Sequence, residues 1–239
     1  MHFHLPKPLH GWREFVGEIA IIVVGVLIAL GAEQLVEDWH WRHRAEATAD
    51  TLKSEIFGHY AQAAEFAVTA PCLDRQLQIL SQRLTATPLI PAPAFHEDGW
   101  NEYVLRSPSR NWSDNQWRGV VSEGVVAHLD KDLRAHLGNH YAQITTMADN
   151  NRAADTLAFR FNLLANTAAL DPATRGRIAE EIEEERGIFR LMGLGARQIM
   201  PNVREIGFAP SRHDVDEFLS YSGTIKFCRA HGLPLGKLG

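Results

Sequence analysis

The sequence of 239 residues predicts an all-α protein in which one N-terminal transmembrane helix continues into an antiparallel bundle of three or four long helices. One uncharged apolar run, residues 19–32, can enter a bilayer. Apolar residues elsewhere recur at helical steps of three and four, and no run of period-two alternation indicates strands. We therefore divide the chain into a short tail (1–11), a transmembrane anchor (12–41) and a helical domain (42–239).

Tryptophans bracket the apolar run, which by itself is shorter than the roughly 20 residues of a spanning helix. Trp12 precedes the run, and Trp39 and Trp41 follow it. Tryptophan favours the headgroup level at both faces of a membrane. At 1.5 Å per residue, Trp12 and Trp39 would lie about 40 Å apart, which is about the thickness of a bilayer with its headgroups. We interpret residues 12–41 as a retained anchor; a cleaved secretory signal is the main alternative.

A stripe along the predicted anchor helix combines small residues with one acid. Its members follow one another at steps of four and three: Glu18, Ile22, Gly25, Ala29 and Ala32. Gly25 and Ala29 form a small-x-x-x-small pair, which lets helix backbones approach closely in lipid. Glu18 lies about one turn inside the membrane boundary, where an ionisable group usually faces protein or water. The stripe predicts a contact surface for another membrane helix; the alternative is ordinary composition with Glu18 reaching the headgroups.

Charge sets the orientation of the anchor only weakly. Lys7 and Arg13 lie on one side of the apolar run, and Arg42 and Arg44 lie on the other. A short tail usually stays inside while a long domain crosses. We therefore expect the N-terminus in the cytoplasm and the helical domain outside it.

The anchor also resembles that of a known family. The residues from Gly17 to Leu30 follow the pattern G-E-I-x-x-x-V-x-G-V-x-I-A-L, which is similar to an uncharacterised family of small bacterial single-pass membrane proteins. A second block resembles the same family and comprises Trp112, residues 120–124, Leu129, Leu133, Leu137 and Tyr141. The resemblance implies a helical extracytoplasmic domain tethered to a membrane, and we expect that membrane to be the bacterial inner membrane and the domain to be periplasmic. It implies no activity and offers no catalytic residues.

Apolar periodicity and capping residues divide the domain into helices. The predicted N-caps are either Ser113 or Asp114, then Asp130 and Asp171; Pro172 stands at a first helical position, and Gly124 can end a helix. Prolines make residues 88–99 an irregular segment. The predicted helices are a stalk continuing from the anchor to about Thr69, and segments at about 73–86, 114–124, 130–166, 171–200, 215–221 and 225–230.

Cys72 and Cys228 are the only cysteines in the chain. Two cysteines in an exported domain can pair, whereas in the cytosol they would stay reduced. A bond between them would close a loop of about 150 residues and tie the end of the stalk to the C-terminal region. The alternative of two unrelated buried thiols stays open at this point.

Two histidines form the strongest candidate for a metal site. His136 and His140 lie one turn apart on a predicted helix, with His128 and Asp132 up to two turns earlier. The pattern is not the zinc-protease motif, because Leu137 stands where that motif requires a glutamate. Without a third certain ligand, a solvated helix face is the favoured interpretation. We therefore expect no bound metal and no cofactor.

The sequence favours a non-catalytic accessory protein that scaffolds or caps a membrane protein complex. The stripe, the continuous stalk and the lack of an assignable catalytic constellation support this interpretation. Residues 180–185 are interpreted as an exposed charged face rather than a binding site. The expected partners are the membrane and either another transmembrane protein or a second copy, and the net charge of −5 argues against nucleic acid. The alternative function is an extracytoplasmic sensory or small-molecule-binding module.

Overall fold

The computed structural model describes residues 11–91, 104–166 and 168–238, with the side chains at positions 13 and 14 left out. Some sequence-based predictions therefore lie outside the described residues. They are the tail through residue 10 with Lys7, the charge of Arg13, and the irregular segment from residue 92 onward.

The all-α prediction is confirmed, and the described residues form no strand. An isolated antiparallel bridge joins Ile90 to Ala168. Two short 3-10 turns follow α2 and α3, at Val125–His128 and Phe161–Leu164. The helices are α1 (Trp12–Arg83), α2 (Asn115–Ser122), α3 (Lys131–Arg160), α4 (Pro172–Ile206), α5 (Arg212–Ser220) and α6 (Gly223–Ala230).

The chain divides into two compact units, residues 1–48 and 49–239. The described part of the first unit is the beginning of α1, and residues 15–40 are exposed throughout. Among the described residues, α1 is the one helix that is long and apolar enough to cross a membrane, and its apolar window is unburied. The second unit contains the bundle and its core.

The predicted break between the stalk, which is expected to end at about Thr69, and the segment at about 73–86 does not occur. Helix α1 continues through Pro71 to Arg83. A proline lacks the N–H that would bond to the carbonyl four residues earlier, which here belongs to Ala67. The C-terminal segment packs against this point, where Gly236 donates its N–H to the Val68 carbonyl at 2.8 Å. A Cβ on Gly236 would lie 2.8 Å from the Ala67 oxygen, so only glycine fits. A tertiary contact therefore covers the turn that Pro71 weakens.

Capping predicts most of the remaining helix ends. Asp130 accepts hydrogen bonds from the N–H groups of Asp132 and Leu133 at the start of α3. Asp171 caps α4 in the same way, as predicted. The end of α4 predicted before Pro201 is wrong, because the helix continues to Ile206 and stops where Gly207 adopts a φ of 82°.

The second unit packs α4 antiparallel to both α1 and α3. The contacts that fix the α1–α4 direction join Tyr60 to Arg204, Phe66 to Phe189, and Asp74 to Arg186. Since His59 meets His140 and Arg83 meets Leu164, α1 and α3 run parallel. The segment between α1 and α3 accordingly carries the chain back along the bundle. The core between the three helices includes Leu52, Ile56, Leu73, Leu77, Leu137, Ile144, Ile178 and Ile182.

Candidate functional site

The anchor part of α1 presents the predicted contact stripe on an exposed surface. Glu18, Ile22, Gly25, Ala29 and Ala32 are all exposed. A Cβ built on Gly25 would meet no heavy atom within 4 Å. Helical geometry places the five residues on one face, because their steps of four and three follow the 3.6-residue turn. The face is therefore open to lipid or to another helix.

Of the predicted tryptophan belt, Trp12 and Trp39 are exposed at opposite ends of the apolar run, whereas Trp41 is partly buried. Trp12 is 77% exposed and Trp39 is 62% exposed. The Trp39 ring lies edge-on to His43 with centroids 4.5 Å apart, and the Arg44 guanidinium lies 5.7 Å from the Trp41 ring centroid. Aromatic rings beside cationic groups suit the headgroup level of a bilayer.

Cys72 and Cys228 form a disulfide, with their Cα atoms 6.1 Å apart. Both residues are fully buried and pack with Leu233. The sequence leaves open a disulfide or two unrelated buried thiols, and the structure contains the disulfide. The bond fastens α6 and the C-terminal segment to the C-terminal part of α1.

The two histidines proposed as a metal pair do not act together. His140 is fully buried, and its Nε2 lies 3.0 Å from Nδ1 of His59 rather than beside His136. His59 Nε2 lies 2.7 Å from the Ser113 carbonyl oxygen, which can only accept. His59 Nε2 therefore carries a proton, and His59 Nδ1 accepts a hydrogen bond from His140 Nε2–H. The described residues contain no group of three or more side chains suited to a metal ion.

Burial keeps this histidine pair uncharged. Burial lowers the pKa of His59. Burial, followed by repulsion from the positive charge that a protonated His59 would carry, lowers the pKa of His140 to about 3. Beside the pair, Tyr141 donates a hydrogen bond to Glu55 at 2.8 Å and stacks on Trp117 with ring centroids 4.9 Å apart. The cluster therefore joins α1, α2 and α3 through polar and aromatic contacts.

Glu185 contradicts the interpretation of residues 180–185 as an exposed charged face. Its side chain is fully buried on α4, and neither carboxyl oxygen has a hydrogen-bond partner among the described residues. Burial, followed by the nearby charges of Asp155 and Glu184, raises the pKa of Glu185 to about 8. The group is therefore mostly a neutral carboxylic acid at pH 7. Other members of the run do form surface ion pairs, as Glu181 does with Arg160.

A polar cavity of about 530 Å³ lies between α2, α3 and the segment before α2. At its edge Arg110 donates two hydrogen bonds, of 2.6 and 2.8 Å, to the Glu65 carboxylate. Glu65 is fully buried on α1, and the bond to it is the main cause of the raised pKa of Arg110. The other arginines of the cavity, Arg118 and Arg152, also have carboxylate partners. Each cationic group here is thus neutralised within the chain.

A second cleft, of about 670 Å³, is lined by basic groups, most of which have no carboxylate partner among the described residues. We call it the basic cleft and define its charged residues as Arg197, Arg204, Arg212, Lys237 and Asp216. The four basic residues come from α4, α5 and the C-terminal segment, and all four are exposed. Tyr60 of α1 forms part of the wall and accepts a hydrogen bond from Arg204 at 2.9 Å.

Comparison with protein-family models, with curated proteins and with solved structures found no match. The resemblance of the anchor to small bacterial single-pass proteins therefore stays a prediction. What the chain does must be argued from its own residues.

The burial of Glu185, the contact between His59 and His140 and the basic cleft were not predicted from the sequence. A signal for Glu185 was present, because Ile178, Ile182, Glu185, Phe189 and Met192 follow steps of four, three, four and three. The acid occupies a position in the apolar stripe of α4. His59 and His140 are 81 residues apart, and the cleft draws on four separate segments, so neither leaves a local pattern.

Proposed function

We propose that the protein is a non-catalytic accessory protein of the bacterial inner membrane, which scaffolds or caps a membrane protein complex. In this proposal the anchor spans the membrane with its N-terminus in the cytoplasm, and the helical domain lies in the periplasm. The observation that carries the proposal is the exposed helix face on which Glu18 accompanies Gly25 and Ala29.

The chemistry of this face suits another transmembrane helix better than lipid. Gly25 offers no side chain, and Ala29 offers one methyl group, so a partner backbone can approach closely. Glu18 on the same face is costly to leave in lipid and gains from a polar or cationic group on a partner. The partner is a transmembrane helix of another protein in this proposal, and a second copy of the chain is an outcome that the experiment below distinguishes.

The disulfide supports the proposed orientation. Bonds of this kind persist in oxidising compartments such as the periplasm and are rare in the cytosol. Cys72 and Cys228 belong to the domain that follows the anchor. A reporter that works only after export, fused after residue 239, should be active; activity of a cytoplasmic reporter alone at that position would contradict the orientation.

The experiment that tests the function is purification of the full chain from membranes in a mild uncharged detergent, followed by identification of co-purifying proteins and mass determination of the complex. Replacing Gly25 by Leu should remove the partner, because a bulky side chain separates the helix backbones. Val24→Leu is the matched control, since Val24 is 53% exposed and lies outside the stripe. Glu18→Gln keeps the ability to form hydrogen bonds but removes the charge. Loss of the complex in this variant would therefore indicate an ion pair, and its retention would indicate a hydrogen bond.

The possible outcomes have different consequences. A complex with another membrane protein that Gly25→Leu dissolves and Val24→Leu preserves supports the proposal. A dimer of the chain with the same sensitivity would assign the stripe to self-association. If the complex survives Gly25→Leu, or if the protein purifies as a monomer without a partner, the stripe is not a contact surface and the proposal is contradicted.

A second candidate function, the extracytoplasmic ligand-binding module, is favoured by one observation. The basic cleft has the size of a small-molecule site and carries charge that the chain does not neutralise. Saturable binding of a small molecule to purified monomer would favour this candidate.

A further inference from the structure

We propose that the basic cleft binds a phosphate group carried by a small organic molecule or a lipid. The cleft lies wholly within the second unit, so the inference is independent of what the anchor contacts. Four elements contribute to it: α1, α4, the start of α5 and the C-terminal segment.

The charge of the cleft is opposite in sign to that of the chain. The whole sequence has a formal charge of −5, whereas the cleft contains three arginines and a lysine against one carboxylate. That carboxylate, Asp216, lies 3.8 Å from Arg212, and the two side chains are 61% and 94% exposed. Such an exposed pair holds its partners weakly. The cleft therefore keeps a net positive charge of about three, which attracts an anion.

Three basic groups of the cleft lack the carboxylate partners that hold two other arginines of the bundle. Arg110 and Arg186 each contact a carboxylate at 3.0 Å or less. Among the described residues, by contrast, no carboxylate lies within 4.0 Å of Arg197, Arg204 or Lys237. Their charge is available to a ligand that the chain itself does not supply.

Tyr60 positions one arginine without neutralising it. The Tyr60 side chain is part of the core, with only 8% of the residue exposed. Its hydroxyl oxygen accepts a hydrogen bond from Arg204 Nη2, and the guanidinium carbon lies 5.9 Å from the ring centroid. The hydroxyl proton has no acceptor in the described part of the chain, so it can donate to an anion. Arg204 and Tyr60 thus form a preorganised donor pair.

The C-terminal segment is fastened so that Lys237 reaches the cleft. Gly236, the preceding residue, is bonded to the Val68 carbonyl of α1. Leu233 and Leu235 of the same segment pack on the disulfide between Cys72 and Cys228. The lysine is therefore brought to the arginines by fixed contacts rather than by a free terminus.

Guanidinium forks and an ammonium group match phosphate oxygens in both charge and geometry. The cleft volume of about 670 Å³ is larger than one phosphate group requires, so the phosphate belongs to a larger molecule. A soluble organic phosphate and the headgroup of a phospholipid share this chemistry.

The test is calorimetric titration of the full chain in an uncharged detergent at low ionic strength, with inorganic phosphate and glycerol 3-phosphate as probes. We expect saturable binding of one probe per chain that weakens as salt is added. Arg197→Gln and Arg204→Gln should each weaken binding by about tenfold or more, because each removes a charge-assisted hydrogen bond. Arg190→Gln is the matched control: it lies exposed on the same helix outside the cleft and should change affinity by less than about twofold.

Arg197 makes no hydrogen bond or ion pair with another described side chain, so its replacement keeps the experiment informative if loss of Arg204 disturbs Tyr60. Mixed micelles containing phosphatidylglycerol separate the two sources of phosphate. Tighter binding of the lipid assigns a headgroup site, and tighter binding of glycerol 3-phosphate assigns a soluble ligand. No saturable binding of any of these probes, or equal weakening by Arg190→Gln, overturns the proposal.

Discussion

Replacing Glu185 by Gln should abolish a pH dependence of folding stability that the wild-type protein shows near neutrality. The carboxyl group is fully buried and has no hydrogen-bond partner among the described residues. Burial and neighbouring acids raise its pKa from an ordinary 4.5 to about 8. Gln has the same shape as Glu and does not titrate, so the variant separates the effect of protonation from the effect of side-chain packing.

The sign follows from which state holds the proton. Between pH 4.5 and 8 the folded chain keeps Glu185 protonated while the unfolded chain ionises it, so the folded state binds more protons. Stability therefore falls as pH rises through this window, and the Glu185 contribution is fully present only below pH 4.5. One pKa unit corresponds to 1.36 kcal/mol, so the whole window is worth about 5 kcal/mol.

The cleanest range for the measurement is pH 6.5 to 8. The lowered pKa values of His59 and His140 act in the opposite direction, but mainly below their ordinary value of 6.5. The residual histidine effect above pH 6.5 is common to wild type and Glu185→Gln, so the difference between the two proteins across the chosen range is the Glu185 effect, about 2 kcal/mol. For a domain of this size that is a change in melting temperature of roughly 4–8 °C.

Urea unfolding of the full chain in an uncharged detergent, followed by circular dichroism at several pH values, measures the effect. Between pH 6.5 and 8, the free energy of unfolding of wild type should fall by about 2 kcal/mol relative to that of Glu185→Gln. The neighbouring Glu184 is exposed, so Glu184→Gln should retain most of the wild-type slope. An equal slope in wild type and Glu185→Gln would show that the buried acid is not protonated in the folded state.

Two further predictions concern cross-links within the domain. Replacing Cys72 and Cys228 together by Ala should lower the free energy of unfolding by about 2–5 kcal/mol, because the bond closes a loop of 156 residues; an unchanged urea midpoint would contradict this. Glu65→Gln should cost about 2 kcal/mol, less than a fully buried pair, because the Arg110 side chain is 35% exposed. In the same urea assay the exposed pair of Asp50 and Lys53 serves as control, and Asp50→Asn should cost less than about 0.5 kcal/mol.

Local signals in the sequence were sufficient for most helix starts and insufficient where distant contacts decide. Asp130 and Asp171 cap their helices through bonds to residues two and three positions away, which a sequence pattern records. Pro71 and Pro201 also carry a local signal for a break, yet both helices continue through them. At Pro71 the compensating contact comes from Gly236, which is far away along the chain.

The candidate sites show the same division. The anchor stripe is a property of one helix and could be predicted from spacing alone. Glu185 was assigned to the surface by its charged neighbours, although its spacing from Ile182 and Phe189 placed it in the core. The basic cleft depends on the antiparallel packing of α4 on α1, which brings Arg204 to Tyr60 across 144 positions of sequence.

The disulfide has a consequence for how the chain is made. It joins the C-terminal part of the first helix to α6, so the loop cannot close until residue 228 has been synthesised and, in the proposed topology, delivered to the oxidising side of the membrane. Until then the α1 turn beside Pro71 lacks the covering contact of Gly236, and α1 lacks its link to α6. A chain truncated before Cys228 would lack the disulfide and expose an unfinished bundle to proteolysis. If the proposed topology is correct, the disulfide can therefore form only after residue 228 has been exported.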